Sequence, residues 1–150
     1  MDKQKLQDEL KQSMLAKNEL KTSVLRMLLS AINYYEIQKG GAGYTATQED
    51  VLSVIQTQAK QRKDSIEQFK NAGRAELVGK EEKELEMLNA YLPAQMSEEE
   101  VKKLVDEAVA QTGATSIADL GKVMGALMPK TKGKADGALV SNLVKQKLTS

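Results

Sequence analysis

The chain has 150 residues, a formal net charge of +1, no cysteine and no histidine. That removes disulfides, thiolate chemistry, Cys/His metal sites and the commonest general base, and bulk charge does not mark the whole chain as a polyanion binder. With one Phe, four Tyr and no Trp against 41% hydrophobic residues, the interior must be aliphatic, the composition of a folded helical protein.

Leu6, Leu10 and Met14, at i, i+4 and i+8, predict an amphipathic helix over 2–16. Leu20, Val24, Met27, Leu28, Ala31, Ile32 and Tyr35 share one broad face of a second helix over 19–38. The run Lys39-Gly40-Gly41-Ala42-Gly43 stops that helix. It follows a helix and lacks GxxxxGK[ST], so it reads as a helix–helix loop and not as a phosphate cradle. Thr47 and Asp50 form a capping box that opens a third helix, along which Val51, Ile55, Ala59, Arg62, Ile66 and Phe69 keep helical spacing. Arg62 falls on the apolar stripe. Either its stem packs while the guanidinium reaches water or an acid, or the guanidinium faces a ligand in an N-terminal site. Beyond Gly73, Leu77, Leu85, Leu88 and Leu92 carry a fourth helix over 74–91, with Lys80-Glu81-Glu82-Lys83-Glu84 as a solvated face.

Leu92-Pro93 marks a boundary, because proline disfavours helix at the residue before it. Ser97 and Glu100 then form a capping box, Val101, Leu104, Val105 and Ala108 make the buried face, and Thr112-Gly113 ends the helix. Ser116 and Asp119 open the next helix in the same way, and it stops at Pro129. Gly121 and Gly125 sit four apart in it. Each costs roughly 1 kcal/mol relative to alanine, so something is expected to approach closely: a neighbouring helix most simply, or a nucleic-acid backbone. A last helix starts at Asp136, burying Leu139, Val140, Leu143, Val144 and Leu148 and leaving Lys145 outward. The expected fold is all-α: a four-helix N-terminal part with long helices over 1–92, and a three-helix domain over 97–150.

Charge is unevenly spread. Residues 1–92 carry 14 Lys+Arg and 14 Asp+Glu, whereas residues 121–150 carry six lysines and one aspartate. Lys130, Lys132 and Lys134 flank Gly133 just before a helix N-terminus, where unpaired N–H groups and the helix dipole favour an anion. Lysines add charge, and glycine permits close backbone approach. The candidate RNA-binding residues are Lys122, Lys130, Lys132, Gly133, Lys134 and Lys145. No aromatic interleaves with them, so backbone and shape recognition of folded RNA is expected rather than base stacking. The alternative is an ordinary solvated lysine turn. No carboxylate dyad, EF-hand spacing or nucleophile–base arrangement is present, so neither catalytic residue, metal nor cofactor is expected. The N-terminus lacks an apolar signal region and no apolar run approaches about 18 residues, so neither secretion nor a membrane partner is expected.

Three stretches together resemble the GatB/YqeY family: Gly121-Lys122-Val123-Met124-Gly125 through Pro129-Lys130-Thr131-Lys132-Gly133-Lys134-Ala135-Asp136-Gly137, Lys60-Gln61-Arg62-Lys63-Asp64-Ser65-Ile66-Glu67-Gln68-Phe69, and Glu84-Leu85 to Tyr91-Leu92-Pro93. The resemblance covers essentially the whole chain and is closest to the stand-alone bacterial members. It implies an all-helical fold whose C-terminal part is similar to the tail domain of the B subunit of the tRNA-dependent amidotransferase. By that resemblance the tail grips tRNA, the matching positions being Gly121, Lys122, Gly125, Lys130, Lys132, Gly133 and Lys134. The amidotransferase's ATP- and metal-binding cradle has no counterpart in residues 1–92. The expectation is therefore a cytoplasmic, non-catalytic binder of tRNA or another structured RNA. The alternatives are an accessory of glutamine-dependent carbon–nitrogen ligation, with an amidotransferase or synthetase as partner, and a helical adaptor for other proteins.

Overall fold

The computed structural model describes residues 1–149. The order is α1 (Lys3–Leu15), α2 (Glu19–Gly40), α3 (Gln48–Asn71), α4 (Ala75–Asn89), α5 (Glu98–Thr112), α6 (Leu120–Thr131) and α7 (Gly137–Thr149), with 3₁₀ turns at Gly41–Gly43 and Ile117–Asp119. No strand occurs among the described residues, and the fold is all-α. The chain divides into two compact units, Met1–Leu92 and Pro93–Ser150.

In the first unit, α1 packs on α2 and α3 on α4. Leu6, Leu25, Leu28, Ile32, Ile55 and Leu88 are essentially inaccessible and form the centre of its core. Burial of each such side chain contributes about 1.5–3 kcal/mol. Helix ends are closed by local chemistry. The Asp2 carboxylate accepts from Lys5 N at 2.9 Å and starts α1. At its end, Asn18 N donates to Ser13 O (2.9 Å) and Lys17 N to Met14 O (3.1 Å), the paired bonds of a Schellman closure. That closure puts Lys17 at φ 54°, a left-handed conformation normally left to glycine. Asn18 then accepts from Lys21 N and starts α2. Polar ties also join the helices. Ser13 and Thr22 share a buried hydrogen bond of 2.9 Å, and Tyr91 Oη donates to Glu9 at 2.5 Å.

The capping box of Thr47 and Asp50 forms, and Asp50 does more than cap. Its buried carboxylate accepts from Tyr35 Oη (2.8 Å), Lys39 Nζ (2.7 Å), Tyr44 Oη (2.5 Å) and Thr47 N (2.9 Å). Nearby, Glu36 accepts from Lys3 Nζ (2.6 Å) and Ala46 N (2.8 Å). The glycine loop is thus closed by two carboxylates, one from each flanking helix. The Lys39 ammonium, then the Tyr44 hydroxyl and the Thr47 N–H, hold the Asp50 carboxyl far below the usual carboxylate range.

In the second unit, Val101, Val105, Val123, Leu127, Val140, Val144 and their neighbours form a core shared by α5, α6 and α7. The Ser97–Glu100 capping box opens α5, and Gly113, at φ 67°, closes it. Two sequence expectations are corrected here. Ser116 and Asp119 do form a capping box, but it opens the 3₁₀ turn, and α6 begins only at Leu120. Nor does α6 stop at Pro129: it continues to Thr131 and closes with Lys132 N donating to Met128 O at 2.9 Å. Proline this near a helix end removes one i→i−4 bond, and its ring lies on the exposed side of α6.

Candidate nucleic-acid interface

The buried side of α6 is set by Val123, Leu127 and Thr131. At 100° per residue the opposite side carries Gly121, Gly125 and Pro129 at i, i+4 and i+8, with Lys122 beside them and Lys132 at the C-terminal end. All five are exposed. A Cβ built on Gly121 or Gly125 would meet nothing within 4 Å. This corrects the expectation that the two glycines admit a neighbouring helix: among the described residues, no other helix of the second unit comes within 4 Å of either added Cβ. What they leave instead is a strip of open helix backbone bordered by lysine.

The strip runs into the lysine turn. Lys130, Lys132 and Lys134 are exposed, whereas Gly133 between them is buried at φ 78°. Lys134 N and Ala135 N both donate to Thr131 O, at 2.9 and 3.0 Å, which folds the turn back on the end of α6. Gly133 is therefore a bend inside the fold, and its carbonyl is taken by Gln95 Nε2 at 2.9 Å. The same Gln95 nitrogen donates to Pro93 O at 2.8 Å, and Met96 N donates to Lys134 O at 2.8 Å. Residues 93–96 thus brace the turn from behind. Sequence reasoning missed this, because a glutamine beside a helix-breaking proline carries no pattern that names its partner 38 residues away.

A second correction concerns the end of α7. Ala138 N donates to Asp136 Oδ1 at 3.3 Å, so the first turn already has a carboxylate against it. That negative charge competes with any phosphate for the helix end. Any attraction for an anion here would rest on the lysine side chains and not on the α7 dipole. Lys145 is exposed on α7, eight residues beyond Gly137 and so about 12 Å along the axis. Lys122 is exposed near the start of α6, where its charge helps the N–H groups of Thr115 and Ser116 hold the Asp119 carboxyl below its ordinary range.

Arg62 lies in the first unit. Its Nε is 3.1 Å from Glu84 Oε2 and 3.5 Å from Glu81 Oε2, and its side chain is only 12% exposed. A guanidinium nitrogen also stands 3.6 Å from Met27 Sδ. The arginine on the apolar stripe thus ties α3 to α4 by charge. Among the described residues no group of three or more His, Cys, Asp or Glu could hold a metal ion.

A family model for Yqey-like proteins matches residues 3–148. The chain belongs to the YqeY-like family. It is 30% identical over 151 residues to "Altered inheritance of mitochondria protein 41, mitochondrial" of Saccharomyces cerevisiae (strain YJM789), an alignment covering 94% of this chain and 80% of the yeast protein. The protein of the same name from Pyrenophora tritici-repentis (strain Pt-1C-BFP) is 34% identical over 149 residues, covering 95% of this chain and 78% of that protein. These YqeY-like relatives correct the expectation of location. They are fungal proteins whose names place them in mitochondria, against the cytoplasmic, bacterial setting expected above.

Proposed function

We propose that the second unit of this YqeY-like protein grips a structured RNA, with tRNA as the first candidate, and that it acts by binding and not by catalysis. The observation that carries this reading is the open face of α6. Two glycines in one helix weaken it, yet a Cβ at either would meet nothing within 4 Å among the described residues. Their use is then to let something outside approach the helix backbone. Lys122 and Lys132 border that face, and Lys130 and Lys134 are exposed in the turn into which it runs. An open helix backbone rimmed by lysine suits a phosphate–ribose strand, which is read by charge and shape. The similarity implied by the sequence, to a tRNA-gripping tail domain of an amidotransferase subunit, agrees with this chemistry.

The test is tRNA binding by fluorescence anisotropy, with the wild type beside a Lys130→Ala, Lys132→Ala, Lys134→Ala variant. The variant should bind more weakly at low salt, and its log Kd should depend less steeply on log salt, by about 0.7–0.9 for each lost phosphate contact. Equal affinity and equal slope for the two proteins would remove the lysine turn from the interface.

A further inference from the structure

We propose that the open cavity beside the lysine turn receives one unpaired nucleotide of the bound RNA, and that it favours a base bearing an exocyclic amine (cytosine, adenine or guanine) over uracil. This deepens the reading above and rests on the lysine turn meeting RNA phosphates. The cavity lies within the second unit and measures about 460 Å³, inside the range of roughly 300–1,000 Å³ of small-molecule sites. Met96 and Leu104 give it an apolar wall. That wall can cover the face of a base without an aromatic residue to stack on it.

The polar lining is one-sided in chemistry. Both N–H groups of Gln95 have carbonyls to serve, Pro93 O at 2.8 Å and Gly133 O at 2.9 Å. Turning the amide over would set its oxygen against those two oxygens, so its orientation is fixed and Oε1 remains as its available polar atom. Glu100 and Glu107 add carboxylates to the lining, the former already accepting from Ser97 N at 2.9 Å. These groups accept hydrogen bonds and donate none. The donors are Lys103 and Lys134, both cationic. A fitting ligand presents N–H groups at one end and an anion at the other. Cytidylate, adenylate and guanylate do. Uridylate places a carbonyl oxygen where cytidylate has its amine, which sets oxygen against oxygen. The site is also preformed: Gln95 and the Met96 N–Lys134 O bond join the cavity wall to the turn, so Lys134 is held at its edge.

The experiment uses the full chain with ¹³C-methyl methionine and follows the Met96 methyl signal during titration with CMP, UMP and ribose 5-phosphate. CMP should shift Met96 saturably, UMP should bind at least ~5-fold more weakly, and ribose 5-phosphate should leave Met96 in place. Lys134→Ala should bring CMP down to the affinity of cytidine. If CMP leaves Met96 unmoved, or the three ligands shift it alike, the proposal is overturned. The same holds if CMP and cytidine bind the wild type equally. tRNA binding measured on the same preparation separates the two readings. Retained tRNA binding with no CMP response refutes the nucleotide site alone, whereas loss of tRNA binding refutes the RNA reading itself.

Discussion

Replacing Gly121 and Gly125 together by alanine separates a ligand-facing helix from a merely weak one. Glycine in a helix interior is about 0.8–1.0 kcal/mol less favourable than alanine. Gly125 stands mid-helix in α6, and Gly121 in its first turn, where the penalty is smaller. Nothing within 4 Å opposes the new methyl groups. The double variant should therefore be more stable than the wild type, by about 1–2 kcal/mol. For a unit of this size that corresponds to a rise in melting temperature of roughly 4–16 °C. Thermal unfolding followed by amide signals of α5–α7 reads the gain without interference from the first unit. The same protein should bind tRNA more weakly, because two methyl groups now stand between the helix backbone and the strand. A stability gain with unchanged binding would show that the glycines do not face RNA. A stability loss would show that some group of the protein itself needs the space.

Further outcomes concern three residues of the first unit. Lys17→Gly relieves the left-handed backbone that closes α1 and should stabilise by about 1 kcal/mol in urea unfolding; a loss would mean that the lysine side chain does more than its backbone costs. Tyr91→Phe removes the hydroxyl that binds Glu9, and the cost should be about 1.5–3 kcal/mol. The Tyr91 hydroxyl itself should resist ionisation beyond the ordinary tyrosine range, through burial and then the Glu9 carboxylate, as an absorbance titration would read. Asp50 governs the acid limb. Its folded carboxyl titrates well below its unfolded one, so its contribution is full above the unfolded value near pH 4 and is lost as pH falls below that. Asp50→Asn should be less stable at pH 6 and show a flatter decline from pH 5 to pH 2; an unchanged slope there would contradict the carboxylate's role.

The helix framework was legible because its boundaries are written in neighbouring residues. Thr47 with Asp50, Ser97 with Glu100, Asn18 and Gly113 each act within four positions, and the spacing of Leu, Ile and Val supplied the buried faces. What was not legible depends on distance along the chain. Tyr35, Lys39 and Tyr44 meet on Asp50 only because α2 and α3 fold back across the glycine loop. Gln95 reaches Gly133 for the same reason. Pro129 misled because its effect depends on how near the helix end it falls. Gly121 and Gly125 misled because a glycine pair reads the same whether a helix packs there or nothing does. The lysines of residues 121–150 stood out by composition, but their division between the α6 face, the turn and a distant α7 position needed the fold.

On the proposed reading, the lysine-rimmed face of the second unit binds a structured RNA through its phosphates. Titration of the full chain with tRNA across a series of salt concentrations tests it most directly. Binding should be tight at low ionic strength and should weaken along a straight line of log affinity against log salt, with a slope of several units. No binding at low salt, or an affinity indifferent to salt, would contradict it.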